Sequence, residues 1–243
     1  MKRARRQHRL PEKARTVSWA EDPRVNKERI AAYLASLEPF DDGPLNRLRK
    51  DAEAAGVPII RVETESFLRT MVKILDPQSV LEIGTAVGYS SIVMAKAGAG
   101  RIDTIENYEK RIPAALDNIR QAGFESRIRL IEGDAGRVLK ELIAGGAEPY
   151  DLVFLDAAKG QYLHWLPDIL QLMHPGSVLV TDNVLQDETV MESRFLIPRR
   201  ERTTHARMRD YLYELKHNAG LQTSVIPLGD GISLSVLLDP EDQ

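Results

Sequence analysis

The stretch Val80–Ser91, "VLEIGTAVGYSS", joins a short apolar run to a segment with helical character through two glycines. The apolar run predicts a buried strand, and "YSSIVMAKA" at its end predicts a helix. Gly84 and Gly88 have no Cβ, so the backbone between the strand and the helix can pass close to a ligand. The stretch therefore predicts the first strand–turn–helix unit of a ligand-binding sheet.

The alternation of strand and helix continues from residue 79 to the end of the chain. Five strands are predicted over "SVLEI", "RIDTIE", "RIRLIEG", "DLVFLD" and "SVLVTDN", with amphipathic helices between them. Apolar strands that alternate with helices indicate a mostly parallel sheet covered on both faces. Two final strands, "QTSVIPL" and "GISLSVLL", are joined by a tight "GDG" turn and predict an antiparallel hairpin at the sheet edge. We therefore predict an α/β, Rossmann-like fold with seven strands and helices on both faces.

The sequence ahead of the sheet divides into two predicted parts. Residues 1–20 form a basic stretch with little apolar periodicity, which predicts a disordered tail. Residues 21–243 are predicted to form a single domain, with N-terminal helices over 21–78 and the Rossmann-like core over 79–243.

Composition excludes several classes of protein. The 243 residues include no cysteine, so disulfides and thiolate metal sites are excluded. No apolar run reaches the roughly 20 residues that cross a bilayer, and the basic N-terminus lacks the apolar region of a signal peptide. We therefore expect no membrane association and a cytoplasmic location.

Acidic residues stand at the ends of successive predicted strands, where ligands bind in such sheets. Glu106 ends the second strand, at the spacing where Rossmann-type folds place a ribose-binding acid. Asp134 ends the third strand and is placed to reach an adenine amino group. Glu82, just before the glycine turn, would repel a pyrophosphate but suits a cationic ligand such as S-adenosylmethionine. Each acid alone could equally cap a helix or lie on the surface, but three in series favour a cofactor site.

Other candidates for the cofactor site flank these acids. They come from the third N-terminal helix, the glycine turn and the start of the helix after the third strand, and they are Val62, Glu65, Gly84, Thr85, Tyr89, Ser90 and Ala135, together with Asp156.

The fourth and fifth strands end in side chains that suit a metal ion rather than the cofactor. "FLDAAKGQY" places Asp156 at the end of the fourth strand and Lys159 three residues later, and "VLVTDN" ends in Asp182 and Asn183. Two carboxylates and an amide oxygen are hard ligands that suit Mg²⁺ or Mn²⁺. The five histidines are scattered without ligand spacing, so nothing favours zinc.

These motifs resemble the divalent-metal-dependent, S-adenosylmethionine-dependent O-methyltransferases of the catechol and caffeoyl-CoA type. The resemblance covers about residues 57–238 and rests on "VLEIGTAVGYSS", "IE", "GDA", "DAAKGQY", "TDN" and "GDGI". It implies a class I methyltransferase fold and a homodimer. It also implies that Asp156, Asp182 and Asn183 hold the metal and that Lys159, beside Asp156, is the catalytic base. Asp230 in "GDGI" is expected only to shape the turn.

The choice of substrate depends on the segment that follows the predicted metal ligands. Small-phenol enzymes of this type tend to carry apolar residues there, whereas this segment is rich in arginine. Guanidinium groups pair well with phosphates, so we predict RNA contacts at Arg194, Arg199, Arg200 and Arg202. "DAAKGQY", "GTAVGYSS" and "PLGDGI" look most like bacterial tRNA methyltransferases that convert wobble 5-hydroxyuridine to 5-methoxyuridine.

Two alternatives to a methyltransferase that acts on the anticodon region of tRNA stay open. One is an enzyme that methylates the hydroxyl of a small molecule resembling catechol or caffeoyl-CoA, because the same metal site can serve adjacent oxygens in either substrate. The other is a non-catalytic nucleic-acid-binding protein on the same scaffold, which the intact set of predicted ligands argues against.

Overall fold

The computed structural model describes residues 27–38, 43–186 and 189–242. The chain divides into two compact units, Met1–Glu38 and Pro39–Gln243. The described part of the first unit is the helix α1, Lys27–Leu37, on which Tyr33 and Leu37 are exposed. The basic stretch predicted over residues 1–20 lies outside the described residues.

The second unit contains the sheet and the helices that cover it. Its helices are α2 (Pro44–Ala54), α3 (Val62–Leu75), α4 (Tyr89–Ala97), α5 (Ile112–Gln121), α6 (Ala135–Ala144), α7 (Tyr162–Gln171) and α8 (Arg202–His217). Its strands are β1 (Ser79–Ile83), β2 (Arg101–Glu106), β3 (Ile128–Glu132), β4 (Tyr150–Leu155), β5 (Met173–Thr181), β6 (Leu221–Ile226) and β7 (Ile232–Leu237). Strands and helices therefore alternate from β1 to α8, as predicted.

The strands form one sheet in the order β3-β2-β1-β4-β5-β7-β6. The strands β1 to β5 are parallel to one another, and β7 pairs antiparallel with both β5 and β6. The predicted fold class is confirmed, with one refinement. The antiparallel strand β7 lies between β5 and β6, so β6 is the edge of the sheet.

Alternate side chains of the central strands pack into two separate apolar layers. On β1, Val80 belongs to the layer beneath α3 and α4, whereas Leu81 and Ile83 belong to the layer beneath α6, α7 and α8. All three side chains are fully buried. A strand covered on both faces has to be apolar in both directions, which explains the continuous apolar runs in the sequence.

The sheet topology brings the ends of β1, β2, β4 and β5 to the same side. Ile83 at the end of β1 pairs with Ile105 of β2 and with Leu155 of β4, and Leu155 pairs with Thr181 of β5. These parallel strands therefore end side by side. The residues that follow these strands therefore face one region above the sheet. Among the helices that the structure describes, none is long and apolar enough to span a membrane.

Candidate active site

A cavity of about 520 Å³ opens at the carboxyl ends of these strands. Its lining includes the glycine turn after β1, the end of β2, the loop after β4 and the end of β5. The β6–β7 turn and the segment that leads into α3 complete it. Of the five strand ends predicted from the sequence to carry the site, four thus meet at one place, and the end of the third strand lies outside the described lining.

Gly84 brings the turn after β1 against the loop after β4. Its φ is +109°, and a Cβ built on it would lie 2.0 Å from the carbonyl oxygen of Asp156. Both the backbone angle and the space require glycine. Gly88, with φ +82°, is the N-cap residue of α4.

Glu106 is fixed at the end of β2 by backbone donors. Its Oε1 accepts hydrogen bonds from the backbone N–H groups of Asn107 and Tyr108, both at 2.9 Å. Its Oε2 accepts one from the N–H of Ala86 at 2.8 Å. The side chain lines the cavity, so the carboxylate is held in place before a ligand binds. This geometry suits the acceptor of two ribose hydroxyls that the sequence predicted.

Glu82 lies beneath the glycine turn and outside the set of described residues that line the cavity. It is fully buried, and the hydroxyls of Ser90, Ser91 and Thr104 donate to its carboxylate. Burial raises the pKa of Glu82 to about 7, although the three hydroxyl bonds act in the opposite direction. The predicted direct contact with a cationic ligand is therefore corrected, because strand alternation turns this side chain toward α4.

Thr85, Tyr89 and Ser90, which are candidates for the cofactor site, line the cavity. The Tyr89 hydroxyl donates to Glu65 Oε2 at 2.6 Å and accepts from Arg49 Nε at 3.0 Å, and neither partner is among the described residues that line the cavity. Glu65 is 8% exposed and lies behind Tyr89. Its predicted role as cofactor lining becomes one of support for a residue that does line the cavity.

Three other predicted contacts also lie away from the described lining of the cavity: Val62, Asp134 and Ala135. Asp134 is the N-cap of α6, and its side chain accepts from the N–H of Arg137 at 3.0 Å. The side chain that the sequence assigned to the adenine amino group therefore caps a helix in this structure. The four residues 58–61, immediately before Val62, do line the cavity.

Asp156, Asp182, Asn183 and Lys159, the candidates for the metal site and the base, all line the cavity. Asp182 is 2% exposed, and its Oδ1 accepts from the N–H of Asn183 at 2.7 Å. Burial raises the pKa of Asp182 to about 7, and the charge of Asp156 adds to the effect. Burial also raises the pKa of Asp156 to about 6, with Lys159 opposing the shift. Burial is therefore the main cause of both shifts, and the charge of a neighbouring carboxylate adds to each.

Asp230, expected only to shape the β6–β7 turn, also lines the cavity. Arg61 Nη2 donates to its Oδ1 at 2.7 Å, and Asn183 Nδ2 lies 3.5 Å from its Oδ2. Its charge contributes to the raised pKa values of Asp156 and Asp182. Asp230 is thus a third carboxylate in the lining of this cavity, which sequence position alone did not reveal.

The donor set fits a hard cation by its chemistry. In the part of the chain that the structure describes, no three histidine, cysteine, aspartate or glutamate side chains gather as a metal site. The predicted set includes only two such residues, and its third oxygen comes from the amide of Asn183. Two carboxylates with raised pKa values favour a divalent cation beside them, because its charge stabilises their ionised form.

The arginines predicted to contact RNA lie outside the described lining of the cavity. Arg194, Arg199 and Arg200 are exposed, whereas Arg202 Nε donates to the carbonyl of Ile197 at 2.9 Å. The same segment also exposes large apolar side chains, Met191, Phe195 and Leu196. The segment therefore exposes both arginines and large apolar side chains.

The sheet order and the cavity at its carboxyl edge define a Rossmann-like α/β protein with a ligand site at its strand ends. The structure is similar to that of an O-methyltransferase from Bacillus cereus solved in complex with SAH, with a TM-score of 0.77 and 25% sequence identity over 86% of this chain and 97% of that chain. A family model described as O-methyltransferase matches residues 36–237. The chain belongs to this family and is an S-adenosylmethionine-dependent O-methyltransferase.

Two relatives show the range of the similarity. A catechol O-methyltransferase from Niastella koreensis is 33% identical over 175 residues, which is 70% of this chain and 79% of the relative. A caffeoyl-CoA O-methyltransferase from Populus kitakamiensis is 27% identical over 211 residues, 83% of this chain and 89% of the relative.

Proposed function

We propose that this protein methylates one hydroxyl of a small aromatic molecule with adjacent oxygens, of the catechol or caffeoyl-CoA class, with the help of a divalent metal. The observation that carries the proposal is the convergence of Asp156, Asp182, Asn183 and Lys159 in one cavity. The names of the two relatives support a small-molecule substrate.

Within this proposal, each side chain has a distinct task. Asp156, Asp182 and Asn183 would hold Mg²⁺ or Mn²⁺, which supplies a Lewis acid that lowers the pKa of a substrate hydroxyl. Lys159, in its neutral amine form, accepts the hydroxyl proton at its Nζ. The oxygen then takes the methyl group from the sulfonium, whose carbon–sulfur bond breaks as the carbon–oxygen bond forms. The cavity contributes mainly by placing these groups in line.

The cofactor site follows from the residues on the other side of the same cavity. Glu106 offers its fixed carboxylate to the ribose hydroxyls, and the turn from Gly84 to Ser90 lets the cofactor approach the backbone. Tyr89 presents its ring.

One assay with purified protein tests the proposal. Radiolabelled S-adenosylmethionine is supplied with catechol or with tRNA that carries 5-hydroxyuridine, in EDTA or in Mg²⁺. We expect methylated catechol in Mg²⁺ only, and no transfer by Asp182→Ala. Full activity in EDTA would remove the metal from the mechanism.

A second candidate substrate, wobble 5-hydroxyuridine of tRNA, is favoured by one specific observation. Arg194, Arg199 and Arg200 are exposed, close in sequence to the candidate metal ligands. Phosphate contacts of this kind make binding depend steeply on salt. Methylation of the tRNA beside inert catechol, with a rate that falls as salt rises, would place this candidate first.

A further inference from the structure

Lys159 lies on a short loop between β4 and α7. The turn that contains it, Lys159–Gln161, is a single 3₁₀ turn in which the N–H of Gln161 donates to the carbonyl of Ala158 at 2.8 Å. A lysine amine sits on a flexible four-carbon stem. The region that the amine can reach therefore depends on how firmly the backbone beneath it is held.

Two side chains hold this loop, one on each side of Lys159. The Tyr162 hydroxyl accepts from the N–H of Ala157 at 3.1 Å and lies 3.2 Å from the carbonyl of the same residue, to which it donates. Arg207, on α8, donates from Nη1 to the carbonyl of Gly160 at 3.0 Å. Tyr162 is part of the helix that continues the loop, whereas Arg207 reaches it from a distant part of the sequence.

The contact between α8 and the loop is direct. A Cβ built on Gly160 would lie 3.6 Å from Thr204 Oγ1 and 3.8 Å from Arg207 Nη1, which is ordinary van der Waals contact. Arg207 is half-buried at this contact. A hydrogen bond from a charged guanidinium is roughly twice as strong as a neutral one, so Arg207 anchors the carbonyl that follows Lys159.

We propose that Arg207 is a positioning residue for methyl transfer. By holding the Gly160 carbonyl, it fixes the backbone of Lys159 and keeps the amine within reach of the acceptor hydroxyl. The inference rests on the proposed function, in which Lys159 takes the hydroxyl proton. Arg207 lies outside the described lining of the cavity, so it acts through Lys159 and leaves cofactor binding unchanged.

The first test compares rates with catechol as the substrate. A misplacement of about 1 Å can cost roughly 100-fold in rate, so Arg207→Met is expected to lower kcat by about 10- to 100-fold with little change in KM for S-adenosylmethionine. Arg207→Lys keeps a cationic donor and is expected to recover part of the loss. Combined with Lys159→Met, Arg207→Met should cause no further loss. A multiplicative loss in the double variant would overturn the inference.

The second test needs no substrate. Amide hydrogen exchange of residues 157–161 is expected to be faster in Arg207→Met than in the wild type. Unchanged exchange there would overturn the inference.

Arg127→Met is the matched control, because Arg127 also donates to carbonyls, those of Ala95 and Ala99 at 2.9 and 3.1 Å, at the C-terminal end of α4 and outside the described lining of the cavity. We expect a lower Tm but an unchanged kcat per folded molecule. An equal fall of kcat in the control would attribute the effect of Arg207→Met to general destabilisation and overturn the inference. If Lys159→Met retains the wild-type kcat, the proposed base is wrong. If Lys159→Met is slow while Arg207→Met is not, only the role of Arg207 is wrong.

Discussion

The Cα of Gly84 faces the carbonyl oxygen of Asp156 so closely that a Cβ on Gly84 would lie 2.0 Å from that oxygen. The N–H of Asp156 also donates to the carbonyl of Ile83 at 3.0 Å. The turn proposed to receive the cofactor and the acid proposed to hold the metal are therefore in backbone contact. Their separation is set by the sheet and not by flexible side chains.

Gly84→Ala should therefore disturb both halves of the site. The new methyl group meets backbone, which cannot move aside, and a φ of +109° is unfavourable for alanine. We expect a loss of at least about 1–3 kcal/mol in the free energy of unfolding and weaker binding of S-adenosylmethionine by calorimetry. Gly146→Ala is the control, since its φ is +66° with no atom within 4 Å of the added Cβ. Equal effects of the two substitutions would contradict the role of the close contact.

Part of this site could be predicted because strand ends of a parallel sheet converge. Glu106, Asp156, Asp182 and Asn183 each follow an apolar run, and the topology alone brings them to one edge. The direction of a side chain is a separate question, which strand-end position leaves open. Glu82 shows this, because it is one residue before the end of β1 and points beneath the turn.

The residues that were missed depend on long-range contacts or on competing local chemistry. Asp230 and Arg61 form their ion pair across 169 positions of sequence, and an aspartate between two glycines is already explained by its turn. Asp134 satisfies the free N–H groups of α6 as readily as it would bind a ligand. The hairpin of β6 and β7 was predicted, but which of the two strands pairs with β5 depends on packing across the whole sheet.

Mg²⁺ should stabilise the protein in a pH-dependent way. Protons compete with a cation for Asp156 and Asp182, whose pKa values are raised to about 6 and about 7. The increase in Tm on adding Mg²⁺ should therefore be small at pH 5, grow through pH 6 to 7, and level off above pH 8. Differential scanning fluorimetry across this range measures it. Asp182→Asn should abolish most of the increase, and an equal increase at pH 5 and pH 8 would contradict the proposed ligands.

Glu82 should make the free energy of unfolding fall as pH rises. Burial raises its pKa from 4.5 to about 7, so the folded state binds the proton more tightly than the unfolded state does. Its contribution is fully present below pH 4.5 and is lost as pH rises to about 7, a change of about 3 kcal/mol. Glu82→Gln cannot titrate and should remove this slope in urea unfolding curves. The two proteins should have similar stability at pH 4, and parallel curves up to pH 8 would show that Glu82 stays ionised.

Tyr89 offers a test that separates a ring from a hydroxyl. Burial raises the pKa of this hydroxyl, which keeps it a donor to Glu65, a residue outside the described lining of the cavity. In Tyr89→Phe, Arg49 and Glu65 still bond to each other at 2.8 Å, so we expect a loss of only about 1 kcal/mol in stability. The Kd for S-adenosylmethionine should stay nearly unchanged.

Tyr89→Ala also removes the ring. We expect it to lower stability by about 3–5 kcal/mol and to weaken cofactor binding, because part of the cavity wall is lost. Both Kd values are measured by calorimetry below the Tm of the alanine variant. If the phenylalanine variant binds the cofactor as poorly as the alanine variant does, the hydroxyl must turn into the cavity when the cofactor binds. The hydrogen bond from the Tyr89 hydroxyl to Glu65 would then form only in the protein without bound cofactor.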